Sequence, residues 1–139
     1  MARKRAKRPG RSADPDRTVK ATLDRIVRES LHILKADRSV LFLHRPSTDS
    51  FQVEASFGLS RQYLEAVSSL WKDLPLGHLL REPGYFYSRD ARLDPQFDTI
   101  KANIETEGFR SIAVVPLVSE GVALGSLGIY FDEIRELSP

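Results

Sequence analysis

Residues 110–132, RSIAVVPLVSEGVALGSLGIYFD, decide the fold. Two apolar runs, 111–118 and 122–131, are joined across Ser119, Glu120 and Gly121, and this spacing predicts a long antiparallel hairpin. Each run is too evenly apolar for a strand with one wet face, so both faces of the hairpin are expected to be covered. Gly125 and Gly128 weaken the second strand intrinsically, and they point to the close approach of a helix, another backbone or a ligand.

Working upstream, Gly108 stands where a left-handed helix C-cap belongs, while Asp94 followed by Pro95 gives a helix start. Phe97, Ile100 and Ile104 mark one face of the helix between them. Earlier still, YFYS (85–88) reads as a short strand, REPG (81–84) as a tight turn and LPLGHLL (74–80) as one or two helical turns. Ser60 can cap a helix whose apolar stripe is Leu64, Val67, Leu70 and Trp71. A first hairpin is expected from the apolar run 39–44 and the alternation of Phe51, Val53, Ala55 and Phe57, with RPSTDS as its turn. The first helix starts at Asp14-Pro15, and Val19, Leu23, Ile26, Val27, Leu31 and Leu34 recur along it at helical spacing. Downstream, the chain ends on Ser138-Pro139, a third cap-plus-proline signal, which suggests a piece of a longer protein whose C-terminal helix is truncated.

The length, 139 residues, suits one domain able to fold on its own core. No cysteine is present, which excludes disulfides, thiolate zinc sites, thiol nucleophiles and thioether-linked cofactors. The longest apolar stretches fall far short of the roughly 20 residues that span a bilayer, and no signal peptide is evident, so a cytoplasmic location is expected. Residues 1–12, MARKRAKRPGRS, carry six of the chain's 21 basic residues and no acid; without them 15 basic residues face 19 acidic ones, and the body is net −4. The expected organisation is a disordered basic N-terminal arm over 1–13 and a single domain over 14–139. Such an arm could hold nucleic acid through counterion release, but short charged termini are commonly just solvated, and nucleic acid is not the expected partner.

The sequence FRSIAVVPLVSEGVALGSLGIYFDEIRELS resembles the GAF domain family, whose members carry an apolar strand ending in Val-Pro-Leu, a short turn with Gly, then Leu-Gly and a strand running into Tyr-Phe and an acidic loop. Val115-Pro116-Leu117, Gly121, Leu124-Gly125 and Tyr130-Phe131 stand at those places, and LHILKADRSVLFL and ASFGLSRQYLE extend the resemblance over residues 18–138. It implies an α+β, PAS-like fold: a central antiparallel β-sheet with terminal helices on one face and a small-molecule pocket on the other. The function implied is that of a sensory or regulatory domain of a bacterial signal-transduction protein, such as a sensor histidine kinase or transcription regulator. A signal would pass through the terminal helices, paired in a homodimer, to an effector domain. The alternative is a ligand-free module for dimerisation or protein interaction.

Each chemistry known in the family meets a test in the residues. Free methionine sulfoxide reduction works through cysteines, and covalent bilin attachment usually needs one, so both are excluded here. Haem-binding relatives place a histidine shortly before the Val-Pro strand, where this chain has IETEGFR, so haem is not expected and no cofactor is assigned. Of the cyclic-nucleotide signature, only Phe131-Asp132-Glu133 echoes the end. There is no nucleophile-elbow serine and no phosphate-cradling glycine loop, and the domain is not expected to be an enzyme. Ligand binding is assigned to the middle of the chain: Tyr85, Tyr87, Phe97 and Phe109 as aromatic walls, Asp90 as the orienting group, with Ser111 and His78 as further polar contacts. The competing reading is that these aromatics simply fill the core, His78 is a surface residue and Asp90 forms a turn.

Overall fold

In the computed structural model, which describes residues 15–81 and 84–136, a five-stranded antiparallel sheet in the order β2-β1-β5-β4-β3 separates two layers of helices. The elements are α1 (Pro15–Leu34), β1 (Arg38–Arg45), β2 (Ser50–Phe57), α2 (Arg61–Leu70), α3 (Pro75–Arg81), β3 (Phe86–Ser88), α4 (Lys101–Glu107), β4 (Ser111–Ser119) and β5 (Val122–Phe131), with 3₁₀ turns at Trp71–Asp73 and Pro95–Ile100. The α+β fold implied by the resemblance is therefore present. The basic arm, the Asp14 cap, Pro83 of the expected turn and the Ser138-Pro139 signal lie outside the described residues.

Local chemistry sets the boundaries. The Ser60 hydroxyl accepts the Tyr63 amide at 3.1 Å and starts α2. The Asp94 carboxylate accepts the Gln96 amide at 3.0 Å, with Pro95 at the first helical position. The predicted single helix after Asp94 is instead a 3₁₀ segment followed by α4, because three residues per turn keep Phe97 and Ile100 together on the buried side. Gly108, with φ of 99°, closes α4 in the left-handed conformation. Between β4 and β5, Glu120 and Gly121 both have positive φ, as a two-residue hairpin turn that follows the strand twist requires.

One face of the sheet carries α1, whose Leu23 and Val27 pack on Leu41, Ala55, Leu43 and Leu127. The other face carries α2, α3 and the 94–107 segment around the main core. In β5 the period of two sends Ser126, Gly128 and Tyr130 to this second face. At Gly125 an added Cβ would sit 2.1 Å from the Phe42 carbonyl oxygen, so the glycine marks the approach of the β1 backbone.

The expectation that both faces of the β4–β5 hairpin are covered fails at its far end. Val115, Val118, Val122 and Leu124 are 40%, 48%, 60% and 48% exposed, because the hairpin is longer than the layers flanking it.

Candidate functional site

A cavity lies between the sheet and the α2–α3–94–107 layer. Val40, Phe42, Ile112 and Val114 floor it beside Ser126, Gly128 and Tyr130 of β5, and Tyr63, Val67, Leu76, Phe97 and Ile100 are among the residues that roof it. The empty space within this lining, mouth included, is about 360 Å³, but only about 20 Å³ admits the centre of a water-sized sphere. That is room for about one water, so the cavity is a narrow crevice.

The polar atoms of the described lining are hydroxyls. Tyr63 donates to the Tyr130 hydroxyl at 3.1 Å, and both rings stack edge-on against Phe109, with centroids 5.5 and 4.7 Å away. Burial, reinforced by the neighbouring Tyr130, pushes the Tyr63 phenol well above its ordinary pKa, and burial pushes Tyr130 up as well. The pair therefore stays neutral at any physiological pH. Ser126, 2% exposed, has no hydrogen-bond partner for its hydroxyl among the described residues. Leaving such a group buried and unpaired costs about 1–3 kcal/mol, which calls for an explanation. An added Cβ at Gly128 would lie 3.2 Å from the Tyr130 ring and 3.3 Å from its hydroxyl, so this glycine leaves the ring room to lean back along β5 over Gly128.

Of the seven residues singled out in the sequence, Phe97 lines this cavity. Phe109 is fully buried behind it against Tyr63 and Tyr130. Alternation along β3 sends Phe86 to the core, 5.6 Å centroid to centroid from Phe97, and Tyr87 to the opposite face. The Tyr87 hydroxyl is buried there without a partner among the described residues, and Tyr85 is 74% exposed ahead of the strand. His78 sits on an exposed position of α3, and no described residue lining the cavity is a histidine. The Ser111 hydroxyl donates to the Arg89 carbonyl and accepts the Arg135 amide, each at 2.7 Å.

Asp90 is engaged elsewhere. Arg110 grips both its carboxylate oxygens, Nε reaching Oδ1 at 3.1 Å and Nη2 reaching Oδ2, and the Arg92 amide reaches Oδ1 at 3.2 Å. The Arg110 hydrogen bonds hold the carboxyl below its usual range despite desolvation. Three site residues are not singled out by sequence patterning: Ser126 and Tyr130 lie inside the apolar run 122–131, and Tyr63 lies in the first turn of a helix among polar neighbours. The signal available was the alternation Ser126, Gly128, Tyr130, a polar and small face inside an otherwise hydrophobic strand.

A polar clasp adjoins the tyrosine end. The Glu107 carboxylate, whose side chain is 7% exposed, accepts the Ser60 amide at 2.6 Å and the Ser60 hydroxyl at 2.7 Å, and stands 3.6 Å from Arg38. Arg38 in turn donates to the Glu107 carbonyl at 2.9 Å and to Asp132 at 2.8 Å, tying the ends of α2 and α4 to β1 and β5. Arg135 reaches from beyond β5 to the Leu34 carbonyl at 3.1 Å, at the end of α1. Among the described residues no group of three or more histidines, cysteines or carboxylates could hold a metal ion.

Among solved structures, a domain of a protein assigned as a two-component sensor histidine kinase from Sinorhizobium meliloti 1021 is 26% identical, with a TM-score of 0.68 over 90% of this chain and 78% of that one. The GAF domain of a phosphoenolpyruvate-protein phosphotransferase from Coxiella burnetii is 20% identical, with a TM-score of 0.74 over 91% and 74%. A type II free methionine-R-sulfoxide reductase from Thermoplasma acidophilum, 14% identical with a TM-score of 0.68 over 90% and 82%, shares the fold. No curated protein is significantly similar in sequence. The GAF domain family model matches residues 18–137. With the five-stranded sheet, the two helical layers and this match in agreement, the chain belongs to the GAF domain family.

Proposed function

We propose that this domain is the sensory or regulatory input of a bacterial signal-transduction protein, receiving a small molecule in the cavity under Tyr63 and relaying its presence to an output domain. The observation that carries the reading is the buried hydroxyl of Ser126, unpaired among the described residues, in an uncharged enclosure whose other polar side-chain atoms are the two tyrosine hydroxyls. Such a group has its hydrogen-bonding capacity unspent, and a small apolar site with one or two convergent polar atoms is what ligand recognition requires. The domain is proposed as a non-enzyme. No described lining residue is a histidine, cysteine, lysine or carboxylate that could serve as general base, and the sulfoxide chemistry of the Thermoplasma relative has no cysteine to run on here. We assign no cofactor.

The relay would run along the hydrogen bonds already described. Tyr63 borders the cavity and its amide is held by Ser60, which is held by Glu107, which faces Arg38 and thence Asp132. A ligand that shifts Tyr63 therefore works on the same polar group that fixes the ends of β1 and β5, next to α1. No described helix is long and apolar enough to cross a membrane, and a cytoplasmic location is proposed.

One observation favours a second reading as a dimerisation module. Val19, Ile26 and Ile33 are 54%, 41% and 74% exposed and recur every seven residues on the outer side of α1, a β-branched seam of the kind that pairs two helices. The two readings separate in one pair of measurements. Across a panel of metabolites, a ligand at a hundred times its dissociation constant should stabilise the domain by about 2.7 kcal/mol in thermal shift. A flat panel, together with a dimer that Ile26→Glu dissociates in sedimentation, would replace the sensor with the scaffold.

A further inference from the structure

The chemistry of the cavity wall limits what can enter it. Among the described residues lining it, none is charged, and its polar side-chain atoms are the hydroxyls of Ser126, Tyr63 and Tyr130. An ionised ligand, whether a carboxylate, a phosphate or an ammonium, would lose its hydration there with no charged side chain among the described lining residues to replace it. The two tyrosine hydroxyls already bond to one another at 3.1 Å, whereas the Ser126 hydroxyl is unpaired among the described residues although Ser126 is only 2% exposed. Ser126 lies opposite Phe42 on β1, so an apolar ring wall stands beside its one polar atom. The crevice is thin as well, with room for about one water-sized sphere before side chains move.

Resting on the sensory reading above, we infer that the ligand is a small, neutral, mostly apolar molecule with a single hydroxyl or carbonyl group, held by a hydrogen bond to Ser126 Oγ. Nucleotides, sugar phosphates, amino acids and organic acids are outside the class, because each carries a charge that this wall cannot meet. Affinity comes from burying apolar surface against Phe42, Val114 and Phe97, and discrimination comes from Ser126.

The class can be tested on the whole chain with four probes, n-propanol, phenol, toluene and benzoate, titrated while the amide resonances of Ser126 and Gly128 are followed by NMR. Phenol and n-propanol should give saturable shifts, and phenol should bind about five- to tenfold more tightly than toluene, the worth of one neutral hydrogen bond. Benzoate should give none. In Ser126→Ala the phenol-over-toluene ratio should fall to one or below, because phenol's hydroxyl is then the buried group without a partner, while the variant is at least as stable as the native chain, since its own unpaired hydroxyl is gone. Saturable benzoate binding at these amides, or a phenol-over-toluene ratio unchanged in Ser126→Ala, overturns the ligand class and leaves the sensory reading standing. If no probe, neutral or charged, shifts these amides and the native hydroxyl is satisfied by an ordered water only, both the class and the sensory reading fall.

Discussion

The two ends of the β4–β5 hairpin are nearly alike in composition and opposite in circumstance. Near the Ser111 and Phe131 end, Ile112, Val114, Ile129, Tyr130 and Phe131 are all no more than 7% exposed, clamped between α1's face and the cavity layer. Towards the Glu120-Gly121 turn, Val115, Val118, Val122 and Leu124 stand in solvent. A run of valines and leucines thus says that a strand exists; how far it is buried depends on how far its neighbours reach. The buried end also holds what the exposed end lacks, a narrow crevice with hydroxyls in its wall.

The contrast can be broken most forcefully at Phe109, which leads into β4 fully buried between the two tyrosines; Phe109→Ala should cost about 3–5 kcal/mol in chemical denaturation. An effect below about 1 kcal/mol would mean that the buried end is no core. Next comes the clasp. Glu107→Ala takes the carboxylate from the Ser60 amide and hydroxyl and removes one of the two carboxylates beside Arg38, for an expected loss of about 1–3 kcal/mol. If the relay runs this way, the same change should also uncouple ligand binding from any response in α1.

Smaller again is the tyrosine pair. Either Tyr63→Phe or Tyr130→Phe should cost about 1 kcal/mol by leaving one hydroxyl alone, whereas the double variant should cost less than the two singles combined. Strict additivity would show that the 3.1 Å contact contributes nothing.

Asp90→Asn should lower the melting temperature more modestly, because Arg110 remains about a third exposed and solvent screens the pair. The folded carboxyl has a depressed pKa, so its contribution is fully present above the unfolded value, near 3.8, and is lost as pH falls through the lower folded value. The gap between native and variant melting temperatures should therefore hold at neutral pH and close below about pH 4. A gap independent of pH would assign the loss to something other than the ion pair. Least of all should come from the exposed end, where Val122→Thr is expected to stay within about 0.5 kcal/mol.

Much of the fold was legible because its signals are local. Ser60 and Asp94 cap where short polar side chains before a periodic run should cap, and Gly108 ends its helix where only a residue tolerant of positive φ fits easily. The site was far less legible. Asp90, chosen as an orienting group, is held by Arg110, twenty residues away, and nothing local distinguishes a free carboxylate from one gripped by a distant guanidinium. Alternation along 85–88 requires Tyr87 and Phe86 to face opposite ways but does not say which of them meets the core, and it is the packing of Phe97 against the strand that draws Phe86 inward and leaves Tyr87 on the far face. Tyr63, by contrast, sat unnoticed in the first turn of a helix, because its importance comes from a contact 67 residues away.

The sequence by itself determined the elements, their order and the family they belong to, since caps, turns and periodicity act over a few neighbouring residues. It also removed whole chemistries through the lack of a single cysteine. Only the tertiary structure decided which end of the long hairpin is buried and which hydroxyls share the cavity. Burial and partnership are properties of surfaces brought together from distant parts of the chain, and for Ser126 it took β1, β4 and the helical layer to enclose a hydroxyl that the strand alone would have left in water.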